Sequence, residues 1–305
     1  IRLGKGRYEE ALIVRRPLQV VGTCASEVTL VGVGLSASHQ PATIVVEPGA
    51  ALQLTGVTLA GPQMGLTARD ASVVLRQVRV VGSARRAIEI AGGTLDAAVV
   101  AVDSTVAGPG LQPPLAFALG LDVHATLTQI AANDAGPLAL LTVHSATLSD
   151  SVWRGGPGFL LVRDSRRASI DGSVAIGVRG DVVSLLGATP AVERRLIVTH
   201  SAVVDPVPGV GDDIGRCVHV RNGLDLELVG VQFTGCIGAA VEVVGGSGDA
   251  SPWSRGTALL DRVWIHRVVQ GAAFWDAPGA GVLVSEGGWV HMTRSLVSDA
   301  AGPSV

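Results

Sequence analysis

A short phrase of spaced aliphatic residues recurs along this chain, and it constrains the fold more than any other feature. One copy runs Ile44-x-Val46, Leu52-x-Leu54, Val57-x-Leu59. The next runs Leu66-x-Ala68, Val73-x-Leu75, Val78-x-Val80, and a later one Val218-x-Val220, Leu226-x-Leu228, Val231-x-Phe233. A spacing of two is strand spacing, because alternate side chains of a strand share a face. Each copy therefore holds three short strands separated by small or polar corners. From Ile44 to Leu66 to Ile88 the step is 22 residues. A unit of this size cannot bury its apolar stripe alone, so copies must stack on one another.

First-strand anchors fall at Ile44, Leu66, Ile88, Leu121, Leu141, Leu161, Val183, Val218, Val241 and Val282. Short steps between anchors are plain coils, and long steps carry loops. Segments 107–118, 187–195, 205–214, 245–257 and 270–280 are rich in Gly, Pro, Asp or Ser and are expected to be those loops. Aromatic residues make up only 3% of the chain, so the core is built from Val, Leu, Ile and Ala. Glycine, at 40 of 305 residues with no collagen period, marks many turns. Helical repeats would need stripes of period 3.6, and a β-sandwich would need repeated hairpin turns; neither pattern is present. We expect one all-β domain over 1–305, a solenoid of about ten coils with three parallel strands each. Residues 1–30 form its entry, and 245–257 and 270–280 are inserted loops.

The opening segment GKGRYEEALIVRRPLQVVG (4–22) resembles the entry motif of right-handed parallel β-helix proteins. Gly6, Tyr8, Glu10, Ile13, Leu18, Val20 and Gly22 carry the match. That superfamily includes pectate lyases, polygalacturonases, pectin methylesterases and secreted bacterial repeat proteins. The resemblance implies a right-handed parallel β-helix and a secreted, cell-surface or periplasmic bacterial protein. It does not imply one activity, since a fold hosts many sites.

Gly211-Asp212-Asp213-Ile214 is similar to the Asp-Asp motif of polygalacturonases, with Asp205 seven residues before. Glycoside hydrolysis needs two carboxylates about 5–9 Å apart, one to protonate the leaving oxygen and one to activate water or attack. The rest of that family's set is missing: no Gly-His-Gly follows, and Lys5 is the only lysine. A solvated turn after Pro206 and Pro208 accounts for the same residues. Val263-Trp264-Ile265-His266-Arg267 is similar to a Trp-Ile-Asp-His segment of pectate lyases but lacks its Asp. Converging acids for calcium and ligand spacings for zinc are also missing, so no metal or cofactor is expected.

Trp153, Trp264 and Trp289 each lie next to a Val that is expected to face the core, so all three are expected to face outward. Trp253 and Trp275 sit in the two large loops. Exposed Trp suits stacking on a sugar face or on a protein partner, and His266, His291 and Arg267 are the nearest polar groups. Alternation with Val218 and Val220 makes His219 an ordinary outward histidine. Cys217 and Cys236 lie 19 apart, slightly less than one coil. They are open to a disulfide or to two buried thiols.

The net charge is −3 with no basic face, which argues against a nucleic-acid partner. No apolar run is long enough to span a bilayer. No complete catalytic set is visible. The expected role is therefore a non-catalytic scaffold that presents loops to polysaccharide or to another surface protein, or self-associates through its solenoid ends. The alternative is a polysaccharide lyase or glycoside hydrolase using acids near Asp212 and Asp213.

Overall fold

The computed structural model describes residues 1–32, 42–61, 64–103, 115–186, 194–208, 215–221, 225–245, 256–270 and 279–301. The chain divides into two compact units, Ile1–Val152 and Trp153–Val305. Each is a right-handed parallel β-helix, and no helix occurs among the described residues. It follows that no described helix is long and apolar enough to cross a membrane.

In the Ile1–Val152 unit the first-strand row runs Leu12, Ile44, Leu66, Ile88, Phe117, Leu138 in parallel register. The second row runs Val20, Leu54, Leu75, Ala97, Leu127, Leu148. All of these side chains are buried except half-buried Leu12. Two coils are drawn so evenly that each forms one continuous bent strand, Met64–Val81 and Arg86–Asp103.

The Trp153–Val305 unit repeats the plan. Its first row is Leu160, Val183, Val218, Val241, Val282. Its second is Ile170, Val198, Leu228, Leu260, Met292, and its third Ala175, Val203, Phe233, Ile265, Val297. Among the described residues no further coil stacks on the one holding Val282, Met292 and Val297, and these three are half-buried.

The corner between second and third strands is made the same way in nearly every coil: one residue in the left-handed region. Gly56, Gln77, Val99, Gln129 and Asp150 do this in the first unit. Gly172, His200, Gly230, Arg262 and Arg294 do it in the second. Where a Ser follows the corner, its hydroxyl takes over a ladder bond. Ser151 Oγ accepts from Ile130 N at 3.0 Å, Ser201 Oγ from Ser173 N at 3.1 Å, and Ser295 Oγ from Val263 N at 3.0 Å.

Several expectations need correction. Leu121 is 69% exposed and left-handed, because it begins the corner; Phe117 and Leu119 are the inward residues of that strand. Leu141 and Leu161 are half-buried, and the inward positions are Leu138 and Leu140, and Leu160 and Val162. Segment 107–118 is not all loop, since Leu115–Gly120 is a strand; 104–114 lie outside the described residues. Trp153 does not face outward. It is fully buried, edge-on to Phe159 with ring centroids 5.0 Å apart. Four of the third-row strands are three residues long and turn their middle residue inward, at Trp153, Ala175, Val203 and Phe233.

Candidate active site on the first sheet

On the outer face of the first sheet of the Trp153–Val305 unit, Ser184, His219, Glu242 and Leu283 stand in one register row. Each is the residue after an inward Val, so alternation aims it outward. At the corner leading into these strands, Asp181 and Arg216 stand two residues before Val183 and Val218. Four charged or titratable side chains from three successive coils thus converge: Asp181, Arg216, His219 and Glu242. His219 is therefore not an ordinary surface histidine. It is 7% exposed, because the other three cover it.

Arg216 organises the group. Its Nε donates to Asp181 Oδ1 at 2.9 Å and its Nη2 to Asp181 Oδ2 at 2.7 Å. Its Nη1 donates to Glu242 Oε2. His219 lies between the same acids, Nδ1 3.4 Å from Asp181 Oδ2 and Nε2 3.6 Å from Glu242 Oε2. Nε2 is buried without a hydrogen bond. Burial disfavours charge on Asp181, but bonds from His219 and Arg216 outweigh it and hold the carboxyl below the usual carboxylate range. Burial also opposes the Arg216 charge, and Asp181 and Glu242 outweigh it, so the guanidinium is held more firmly protonated. Next in sequence to Arg216, Cys217 is joined to Cys236 by a disulfide, with Cα atoms 5.6 Å apart. This covalent tie holds the corner that presents Arg216.

The arrangement can do proton chemistry. Asp181 and Glu242 grip opposite parts of one guanidinium fork, so their oxygens lie within about 8 Å, inside the range used by glycosidase acid pairs. Between them stands an imidazole, the residue type suited to moving protons near neutral pH. A Ser-His-Asp triad is not formed: Ser184 is beside His219, but the two ring nitrogens face Asp181 and Glu242.

Solved structures resemble this fold. The catalytic domain of a GH87 α-1,3-glucanase in complex with nigerose superposes with a TM-score of 0.60 at 10% identity, over 97% of this chain and 64% of that one. An arginine mutant of the PL6 family alginate lyase AlyGC gives 0.56 at 13% identity, over 100% of this chain and 49% of that one. The chain thus spans less than two thirds of either. Identities this low speak to the fold, a parallel β-helix. The sequence matches no family model and no curated relative.

The residues singled out from sequence are dispersed. Asp205 sits at the corner after the third strand, left-handed and exposed, in an ion pair with Arg267 two coils on. Asp212, Asp213, Trp253 and Trp275 lie outside the described residues. Trp264, 55% exposed, is on the third sheet with His266, whose Nδ1 is 3.1 Å from Ser298 Oγ and 3.2 Å from Asp299 Oδ2. Trp289 and His291 are on the second sheet. Asp181, Arg216 and Glu242 were not singled out. The signal was present: Asp181 and Arg216 each stand two residues before an anchor, Val183 and Val218, and His219 and Glu242 each stand one residue after an anchor, Val218 and Val241.

Proposed function

We propose that this chain is a carbohydrate-active enzyme that cleaves a polysaccharide at the Asp181–Arg216–His219–Glu242 cluster. The observation that carries this is the convergence of two acids, an imidazole and a guanidinium on one sheet face. The likeness to glucanase and alginate lyase catalytic domains supports the same reading. Glu242 and Arg216 are the most accessible members, with side chains 15% and 13% exposed, so a sugar arriving here meets them first. Asp181, deeper and ionised, holds the imidazole and the guanidinium in place. His219 Nε2 faces Glu242, and the two form the pair that moves a proton to the leaving glycosidic oxygen. In hydrolysis the anomeric carbon–oxygen bond breaks, water adds there and its proton returns to the pair; in elimination the pair takes the C5 proton α to the uronate carboxylate, the C4–oxygen bond breaks and a C4–C5 double bond forms. The disulfide suits an oxidising compartment, so the proposal places the protein outside the cytoplasm.

Incubation with α-1,3-glucan and with alginate tests this. Growth of reducing ends alone marks hydrolysis, and growth of unsaturated uronate marks a lyase. A second reading, a non-catalytic scaffold, is favoured by the mutual pairing of Arg216 with both acids, which also suits a strut between coils. It predicts that neither product forms.

A further inference from the structure

We propose that the outer face of the second sheet around Trp289 is a glycan-binding platform separate from the first-sheet cluster. Trp289 is 50% exposed on the strand Trp289–Thr293. The His291 ring lies nearly parallel to it, 12° apart in plane with centroids separated by 5.8 Å. This stacking holds the indole in one orientation before any ligand arrives, which lowers the entropy lost on binding. Beside Trp289 in register stands Thr257, and beside His291 stands Leu259, 42% exposed. One coil further back are Asp225, bonded by the Thr257 hydroxyl, and Glu227, paired with Arg195.

The chemistry of this face selects its occupant. It offers one flat ring and one aliphatic side chain, bordered by a hydroxyl, an imidazole and carboxylates. A sugar ring has the same make-up: a C–H face that stacks on an indole, with hydroxyls at its rim for polar neighbours. A protein partner needs about 800 Å² per side, and the apolar part of this face, among the described residues, is two side chains, Trp289 and Leu259. Arg195 stands in register with Asp225 and pairs with Glu227, and Arg262 and Arg294 both pair with Asp261, so each of these arginines is already committed to an acid and offers no free cation to a carboxylate. The favoured ligand is therefore a neutral glycan and not a uronate polymer. Platform and cluster occupy different sheets, so this binding does not depend on catalysis at the cluster.

Titration calorimetry with a neutral α-1,3-linked glucotetraose and with an alginate tetrasaccharide tests the proposal. It is run on wild type, Trp289→Ala, Trp264→Ala and Glu242→Gln, each checked for unchanged circular dichroism and melting temperature. The expected result is that wild type binds the neutral tetrasaccharide more tightly than the anionic one. Trp289→Ala weakens the neutral ligand at least tenfold, while Trp264→Ala leaves it unchanged. Failure of wild type to bind the neutral ligand overturns the proposal. So does preference for the anionic ligand, or equal binding by Trp289→Ala. Loss of binding in Glu242→Gln alone moves the ligand to the cluster, which overturns the platform and leaves the proposed active site standing.

Discussion

Arg216 grips both carboxylate oxygens of Asp181, an acid 35 residues earlier in the chain, at 2.9 and 2.7 Å. The same guanidinium reaches forward to Glu242. One side chain thus ties three successive coils together and assembles the candidate active site.

The depressed carboxyl of Asp181 makes stability depend on pH. A group whose folded pKa lies below its unfolded value, about 3.9 for Asp, stabilises the fold above that value. The contribution is lost as pH falls through the folded pKa. Asp181→Asn removes this dependence and also leaves Arg216 partly uncompensated in a buried site, at a cost of about 3–5 kcal/mol at neutral pH. Urea unfolding at a series of pH values should show wild type losing more stability in acid than the variant. Parallel pH profiles would remove Asp181 from the account.

Leu228 stands between Val198 and Leu260 in the second row and is 1% exposed. Leu228→Ala should lower stability by about 2–5 kcal/mol, and Leu228→Asp should yield no folded protein. Thermal melts and expression of soluble protein measure both.

Val99 is a β-branched residue in the left-handed region, with φ of 57°, at a corner that other coils build from Gly, Gln, Asp, His or Arg, none of them β-branched. It is 48% exposed, so little burial offsets the strain. Left-handed geometry costs an ordinary L-residue about 1–2 kcal/mol, and Asn tolerates it better. Val99→Asn should therefore raise stability by about 1 kcal/mol in chemical denaturation.

The Cys217–Cys236 disulfide closes a loop of 19 residues. Replacing both cysteines with Ala should cost about 3 kcal/mol through the unfolded chain. Because Cys217 adjoins Arg216, the same variant should also lose any depolymerising activity at temperatures where it remains folded.

The fold was legible because a period of two survives even where loops interrupt the coils. Register was legible even across long steps, since Val183, Val218, Val241 and Val282 stand in one row, and it slipped at Leu121, Leu141 and Leu161. Ile44, Leu66 and Ile88 stack as the 22-residue step implies. Leu121 failed because two left-handed residues, Leu121 and Asp122, make a corner where strand continuation was expected. Trp153 failed because a three-residue strand has only one inward position, and a neighbouring Val was credited with it. The candidate site was hidden for a different reason. Asp181, Arg216, His219 and Glu242 lie up to 61 residues apart and follow no motif, since the steps between their anchors differ, 35 and 23 residues. They meet only after Val183, Val218 and Val241 are stacked and the places beside those anchors are compared. For His219, alternation correctly indicated the outer face. It carried no information about the charged residues from adjacent coils that bury it.

The most direct test of the central claim is the rate at which Glu242→Gln releases reducing ends or unsaturated uronates from the polysaccharide that wild type cleaves. Wild type and variant are compared at matched fold by circular dichroism. The account predicts measurable cleavage by wild type and a loss of at least a hundredfold in the variant. Wild-type rates in a folded Glu242→Gln protein, or no cleavage of any glycan by wild type, would contradict it.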